Sequence, residues 1–402
     1  MTRDLRQARI GAIFTFVLAG LLCGTFTVRI PALVDRLGLT EAHVGGVLLA
    51  WGIGALVTMQ SMRRVMAYAG SRAVLRIGGP LCAAALVLVA MAPGLPALLA
   101  ASAVFGLTFG TVDIAMNAQG SIVERRAGRP LMNGMHAGWC VGAISAGVLG
   151  TAAIAAGMSF EAHLTVTALV AMPLMVLTGR WYLPEPRVAA AASGARGPRR
   201  RLPGSVYLLG LIAFCAFMVE GTVADWNGLF LRDAVGAPEA VAALGYPVFE
   251  FGMLLGRLGG DRLRTRFGAR ALLVGSGLIT AVTFTAVITT PVVGVAVASM
   301  LLVGLGVATI TPLALSLAGT ATATPGPSIA QTATMGYAGL LLGPVLIGFL
   351  AEHASLRTAM FTAVVLGALI AVTARFLPAT AAARDHEAVP AGDAKDEHPV
   401  AA

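Results

Sequence analysis

The sequence predicts an all-helical integral membrane protein: twelve transmembrane helices in two six-helix bundles, with both termini in the cytoplasm. Three observations predict it. First, 57% of the 402 residues are hydrophobic and only 12% are charged, with a mean hydropathy of +0.84. A soluble domain carries about 25% charged residues. Second, apolar runs long enough to cross the hydrocarbon recur twelve times along the chain. Third, the two halves repeat one another at a constant spacing, Gly38 returning as Gly236 and Gly54 as Gly252. So little charge cannot keep so large an apolar chain in water. The composition therefore excludes a soluble enzyme, a disordered protein and a conventional nucleic-acid binder.

Each element follows in order. The first run, 9–28, comes after Arg3, Arg6 and Arg9, as a signal peptide would. No A-x-A site follows it, and the Leu22 before Cys23 is too bulky for lipoprotein cleavage, so it reads as a retained helix. Runs 43–61 and 73–92 flank a basic loop, run 97–120 holds Asp113, and runs 131–156 and 163–182 complete a first bundle over 1–183. Residues 184–204 combine Pro, Gly and Arg and read as a cytoplasmic linker. Runs 205–230, 240–259, 271–290, 292–317, 328–351 and 356–377 make a second bundle over 205–377. Within it, only Thr289-Thr290-Pro291 separates the third run from the fourth. The stretch 378–402 is Ala-rich and acidic and reads as a disordered cytoplasmic tail.

Loop charge sets the orientation. With the N-terminus in the cytoplasm, 24 of the 28 basic residues fall in inward segments, Arg257 among them. Only Arg29, Arg36, Arg232 and Arg357 face outward. That split is a positive-inside signal for a multi-pass protein of the cytoplasmic (inner) membrane. The cysteines, Cys23, Cys82, Cys140 and Cys215, all lie inside apolar runs without metal-ligand spacing and read as small apolar packers.

The repeat is the informative pattern. Gly70-Ser71-Arg72-Ala73-Val74-Leu75 returns as Gly268-Ala269-Arg270-Ala271-Leu272-Leu273, and Gly106-Leu107 as Gly304-Leu305. Copies with an even number of spans are parallel. That arrangement places a substrate site near the midplane between halves and alternates its access by rocking.

The loop after the second run of the second half reads Gly256-Arg257-Leu258-Gly259-Gly260-Asp261-Arg262, then Phe267-Gly268-Ala269-Arg270. With the repeat, this resembles the major facilitator superfamily across the chain up to about residue 377. The first copy is degenerate: Gly70-Ser71-Arg72 is present, but Ala67 stands where the Asp belongs. The resemblance implies a cytoplasmic gating role for Gly256, Arg257, Asp261, Arg262, Gly268 and Arg270, with one acid latch in place of two. For Arg63, Arg64 and Arg266 plain topology is the preferred reading. A narrower resemblance, to the fucose-permease-like branch of sugar and solute symporters and its uncharacterised bacterial relatives, is carried by Asp113-x-Ala115-x-Asn117, Met135-His136, Glu220-Gly221 and Asp225-Trp226. It implies proton coupling at Asp113.

An ionised residue at mid-bilayer costs about 2.5–3.5 kcal/mol on insertion scales, so each needs a reason. Asp113 lies deep in its run, with Asn117 one turn on and on the same face. A carboxyl there is neutral when protonated and ionised when opened to water, as a proton carrier requires. The alternative is an acid held permanently by a neighbour. Glu220 is the deeper acid of the seventh run and joins Asp113 as a proton-coupling candidate. Asp225 is about 140° around the helix from it. Trp226 reads either as an interfacial anchor or as a stacking surface for a flat ligand. Glu250 matches Gly52 in the other half, so it serves one half only, either in the cavity or paired with Arg257. His136 reads as a packing histidine or a relay. Gln331 and Asn133 are further polar candidates, and Asn117, His136, Asp225, Trp226, Glu250 and Gln331 form the expected cavity set.

No G-x-x-x-x-G-K-[ST] loop or metal-ligand cluster is expected to act, so the chain reads as no enzyme. The expected function is secondary active transport of a small polar solute, sugar-like by resemblance and coupled to protons. The proton gradient would supply the energy without a cofactor. The expected partners are the solute, protons and the lipid bilayer, with no nucleic acid, and the expected state is a monomer. A proton-driven exporter of lipophilic compounds is the alternative, although Gly138-x-x-x-Gly142 is followed by Ala143 rather than the Pro of drug exporters. A non-transporting membrane sensor on the same scaffold is the second alternative.

Overall fold

A computed structural model describes residues 2–128, 131–184, 202–322 and 325–377. The tail 378–402 and nearly all of the linker 184–204 lie outside the described residues, as do the side chains of Arg63, Arg64, Ala67, Asn133 and Asp261. Among the described residues, twelve helices are long and apolar enough to cross a bilayer. They are α1 (Arg3–Val28), α2 (Glu41–Thr58), α3 (Tyr68–Ala90), α4 (Leu95–Ala127), α5 (Gly134–Ala155) and α6 (Phe160–Thr178). The rest are α7 (Gly204–Ala234), α8 (Glu239–Gly260), α9 (Ala269–Thr289), α10 (Val293–Thr320), α11 (Pro327–His353) and α12 (Leu356–Ala374). An even count puts the start of α1 and the end of α12 on one face, the terminal face; the opposite face is distal.

Local chemistry sets the helix ends. Thr40 and His43 form a reciprocal capping box before α2. Ser159 and Ser355 accept backbone N–H groups at the starts of α6 and α12. The weakest boundary in the sequence is real: α9 ends at Thr289, and α10 begins at Val293 beyond Pro291. The seventh helix runs past residue 230, because its last turn, Phe230–Ala234, is a π-turn. The first helix is integral to the bundle, with Phe16, Leu22 and Phe26 fully buried.

Packing pairs α1 with α5, α4 with α2 and α3, and α3 with α6. It also pairs α7 with α11, α8 with α10, and α9 with α10 and α12. The repeat appears in the backbone itself. Gly70 (φ 76°, ψ 157°) and Gly268 (φ 78°, ψ 158°) adopt one conformation, in the positive-φ region open to glycine. Methyl carbons built on Gly54 and Gly106 would overlap the carbonyl oxygens of Ala103 and Trp51. On Gly252 and Gly304 they would overlap those of Leu301 and Phe249. Every one of these partners is offset by the sequence repeat, so both halves use the same glycine-on-backbone crossing.

The distal arginines are structural. Arg36 donates to the Ala90 carbonyl (3.0 Å) and pairs with Glu161. Arg357 donates to the Ile288 carbonyl, the repeat counterpart of Ala90, and to that of Ala234 (2.7 Å). Each guanidinium thus caps the end of the third helix of its half.

Candidate functional site

On α4, Asn117 Nδ2 donates to the Asp113 carbonyl (2.8 Å) and to Asp113 Oδ1 (3.2 Å). The one-turn spacing therefore does what the sequence implied: the amide orients the carboxyl. Asp113 remains partly exposed within the bundle, and Tyr337 of α11 stands within Coulombic range of it from the other half. One turn toward the distal face, Phe109 joins an aromatic wall. Its ring lies 5.7 Å from those of Trp51 (α2) and Trp139 (α5), and Trp51 stacks on Phe105 at 5.8 Å.

A second cluster spans the halves. Glu220 (α7) and Glu250 (α8) both lie in Coulombic range of Arg257, and Glu220 accepts from Thr311 of α10 (3.3 Å). Arg257 reaches across to α5, where Nη1 donates to Cys140 Sγ (3.4 Å) and His136 is also in range. Glu250 is buried, contacts Tyr246 and Cys140, and keeps Oε2 without a hydrogen-bond partner among the described residues. Two carboxylates about one guanidinium leave one negative charge, an expensive state in a membrane interior. A proton or a bound ligand can balance it.

Arg257 lies in α8, within the run expected at 240–259, with both carboxylates in Coulombic range. One expectation is revised. Cys140, read as an apolar packer, accepts the hydrogen bond of Arg257. The rest of the loop motif stays at the terminal end. Gly256 packs on Ala308 of α10, Arg262 is exposed, and Arg270 is half-buried at the start of α9. His136 packs its ring edge on Phe16 at 4.9 Å. Gln331 is partly exposed on α11, six residues before Tyr337.

Trp226 is not an interfacial anchor. It is fully buried, beside the buried Asp225, and its Nε1 has no partner among the described residues. An anchor needs one wet end, and here the whole ring packs in the core. Because the N–H already lacks a bond, Trp226→Phe is expected to change stability by less than about 1 kcal/mol, the relieved desolvation offsetting the lost volume. A thermal melt in detergent checks this.

Polar contacts between the halves gather at the distal face. Arg232 donates to Asp35 Oδ2 (2.8 Å) and to the Pro31 carbonyl (3.0 Å). The α2 start is capped from the other half, Ala42 N donating to Glu352 Oε2 (3.3 Å). Beneath them α2 and α11 touch backbone to backbone, so that a methyl on Gly348 would lie 2.8 Å from the Glu41 carbonyl oxygen.

The profile of the Major Facilitator Superfamily matches residues 12–326 and again 209–397. The chain belongs to this superfamily. It is 34% identical over 371 residues to an uncharacterised transporter of Sinorhizobium fredii, covering 91% of this chain and 97% of the relative. It is 32% identical over 371 residues to an uncharacterised MFS-type transporter of Yersinia pestis, covering 91% and 95%. The crystal structure of the nucleoside transporter NupG (D323A mutant) shares the fold, with a TM-score of 0.75, 15% identity, and coverage of 93% of this chain and 98% of that one. As a superfamily member, this multi-pass membrane protein is a transporter and not an enzyme.

Sequence reasoning missed several of this transporter's interior residues. Tyr246 sits one turn before Glu250 and was within reach of a helical-spacing search. Thr311, Tyr337 and the aromatic wall come from other helices, and no spacing in the chain announces them.

Proposed function

We propose that this chain is a proton-coupled secondary transporter that moves a small polar solute across the cytoplasmic membrane by alternating access. The first bundle (1–183) rocks against the second (205–377), and the terminal face is cytoplasmic. The observation that carries the reading is that ionisable groups inside each bundle lie against polar groups of the other half. Asp113 lies in Coulombic range of Tyr337 of the other half, and Arg257, itself in range of Glu220 and Glu250, reaches Cys140 and lies in range of His136. Such groups persist in a bilayer interior where they bind protons or solute. Asp113 and Glu220 carry the proton. Asn117, His136, Asp225, Glu250 and Gln331 are the cavity's polar candidates, with Trp226 supporting them from the core. The fucose-permease-like residues favour a sugar-like solute, and the aromatic wall beside Asp113 suits the apolar face of a sugar ring or a nucleobase.

The test is a solute panel in proteoliposomes holding a pH-sensing dye: monosaccharides, sugar acids, sugar alcohols, nucleosides and lipophilic cations. Proton movement into the vesicles with one polar solute is the expected result. A response confined to lipophilic cations would replace this reading with the exporter, and binding without flux with the sensor.

Rocking requires the distal contacts to part. Gly348→Val places bulk against the Glu41 carbonyl and is expected to destabilise the closed distal face by about 1–3 kcal/mol, the usual cost of overpacking. Cysteine labelling from the distal side should then rise about tenfold or more at single reporter cysteines near Trp51. Unchanged labelling would show that the α2–α11 contact does not set closure.

A further inference from the structure

Comparing the two halves at one corner reveals a difference that the transport cycle does not use. In the first half, Arg76 of α3 lies against the end of α6, its Nε donating to the Gly179 carbonyl (2.7 Å). Its side chain fills the corner between the two helices. The repeat puts Val274 at that place in α9 and Leu377 opposite, so the second half has neither the long side chain nor the bond. The corner stands open instead, as a shallow depression of about 600 Å³ between the start of α9 and the end of α12.

Val274, Gly275 and Phe267 line it, together with two arginines, Arg270 from α9 and Arg375 just past the end of α12. Neither guanidinium makes a hydrogen bond or ion pair with a described residue. Beyond the opening the surface along α9 is apolar, with Leu278, Val282 and Phe376 exposed, while the exposed Phe267 carries the Arg266 guanidinium over its ring at 5.3 Å. A ligand that satisfies both parts has a phosphate at one end and hydrocarbon at the other. Basic pockets between membrane helices hold anionic head groups in this way, and planar guanidinium matches phosphate oxygens bidentately.

We propose that the α9–α12 corner binds the phosphate of an anionic phospholipid, with Arg270 and Arg375 on the phosphate and the acyl chains along α9. The first half closes the same corner with its own Arg76, so one lipid per chain is held here.

The test uses delipidated full-length protein in detergent and three probes: phosphatidylglycerol, phosphatidylcholine of the same acyl composition, and inorganic phosphate. Phosphatidylglycerol should raise the melting temperature more than phosphatidylcholine does, and native mass spectrometry should retain one phosphatidylglycerol. Arg270→Gln with Arg375→Gln should weaken that retention about thirtyfold, the expectation for two surface arginines. Val274→Arg rebuilds the contact of the first half and should also abolish retention while leaving the lipid-free melting temperature unchanged. Retention that survives in both variants would overturn the proposal. So would inorganic phosphate that reproduces the full stabilisation, because the site would then be one for a free anion.

Discussion

Asp113→Asn protein in proteoliposomes is expected to exchange solute across the membrane but to lose pH-gradient-driven accumulation altogether. Asparagine has nearly the shape of the protonated acid and keeps an oxygen for Asn117 Nδ2, which lies 3.2 Å from Oδ1. Binding and rocking of the neutral form should therefore survive. What disappears is the ionised state. Without it no proton is released on one side, and nothing ties solute movement to the gradient. Asp113 is suited to this cycle because its carboxyl has one side-chain hydrogen bond, to a neutral amide, and no ion pair among the described residues. Losing a proton there costs about as much as placing a charge at mid-bilayer, unless water enters with the cavity. Counterflow and gradient-driven uptake, measured on the same vesicles, separate the two steps. Accumulation at the wild-type level would move the coupling to the other half. There Glu220→Gln becomes the deciding variant, since Glu220 shares Arg257 with Glu250.

The spans and the repeat were legible in the sequence because each is a one-dimensional property. Hydropathy over about 20 residues finds a helix whatever it packs against. A duplication shows as a fixed spacing: Gly54 with Gly252, Gly70 with Gly268, Gly106 with Gly304. The orientation of Asn117 toward Asp113 was legible for the same reason, being a single turn of one helix. The contact of Arg257 with Cys140 was not. It depends on which helix stands opposite α8, and that helix, α5, lies 117 residues earlier. The interfacial reading of Trp226, one of the two that its sequence position allowed, depends on neighbours in the same way. Nearness to a helix end suggested an interface, but that end of α7 is enclosed by its neighbours, so the ring has no wet side. The distal closure joins residues far apart in the chain, Ala42 with Glu352 and Asp35 with Arg232, through loops whose path hydropathy does not set.

Gly106→Leu and Gly304→Leu are each expected to abolish folded protein. An added carbon at either position would overlap a carbonyl oxygen, of Trp51 or of Phe249, and a backbone atom cannot rotate aside as a side chain can. The two helices must separate, which forfeits packing along the whole crossing. In a bilayer that packing is what holds helices together, since lipid tails are as apolar as leucine. The cost should reach at least about 3 kcal/mol, the upper end for overpacked cores. Loss of the monodisperse peak in detergent chromatography is the readout. Alanine makes the argument quantitative. Gly54→Ala and Gly106→Ala strain the same α2–α4 crossing, so together they should cost less than their sum, because the helices part once for both. Gly54→Ala and Gly252→Ala strain crossings in different halves. If 1–183 and 205–377 fold as separate bundles, those two costs should fall on two distinct transitions, or add within about 0.5 kcal/mol in one. Strong coupling between them would instead show that the halves share one cooperative core and rock only by deforming it.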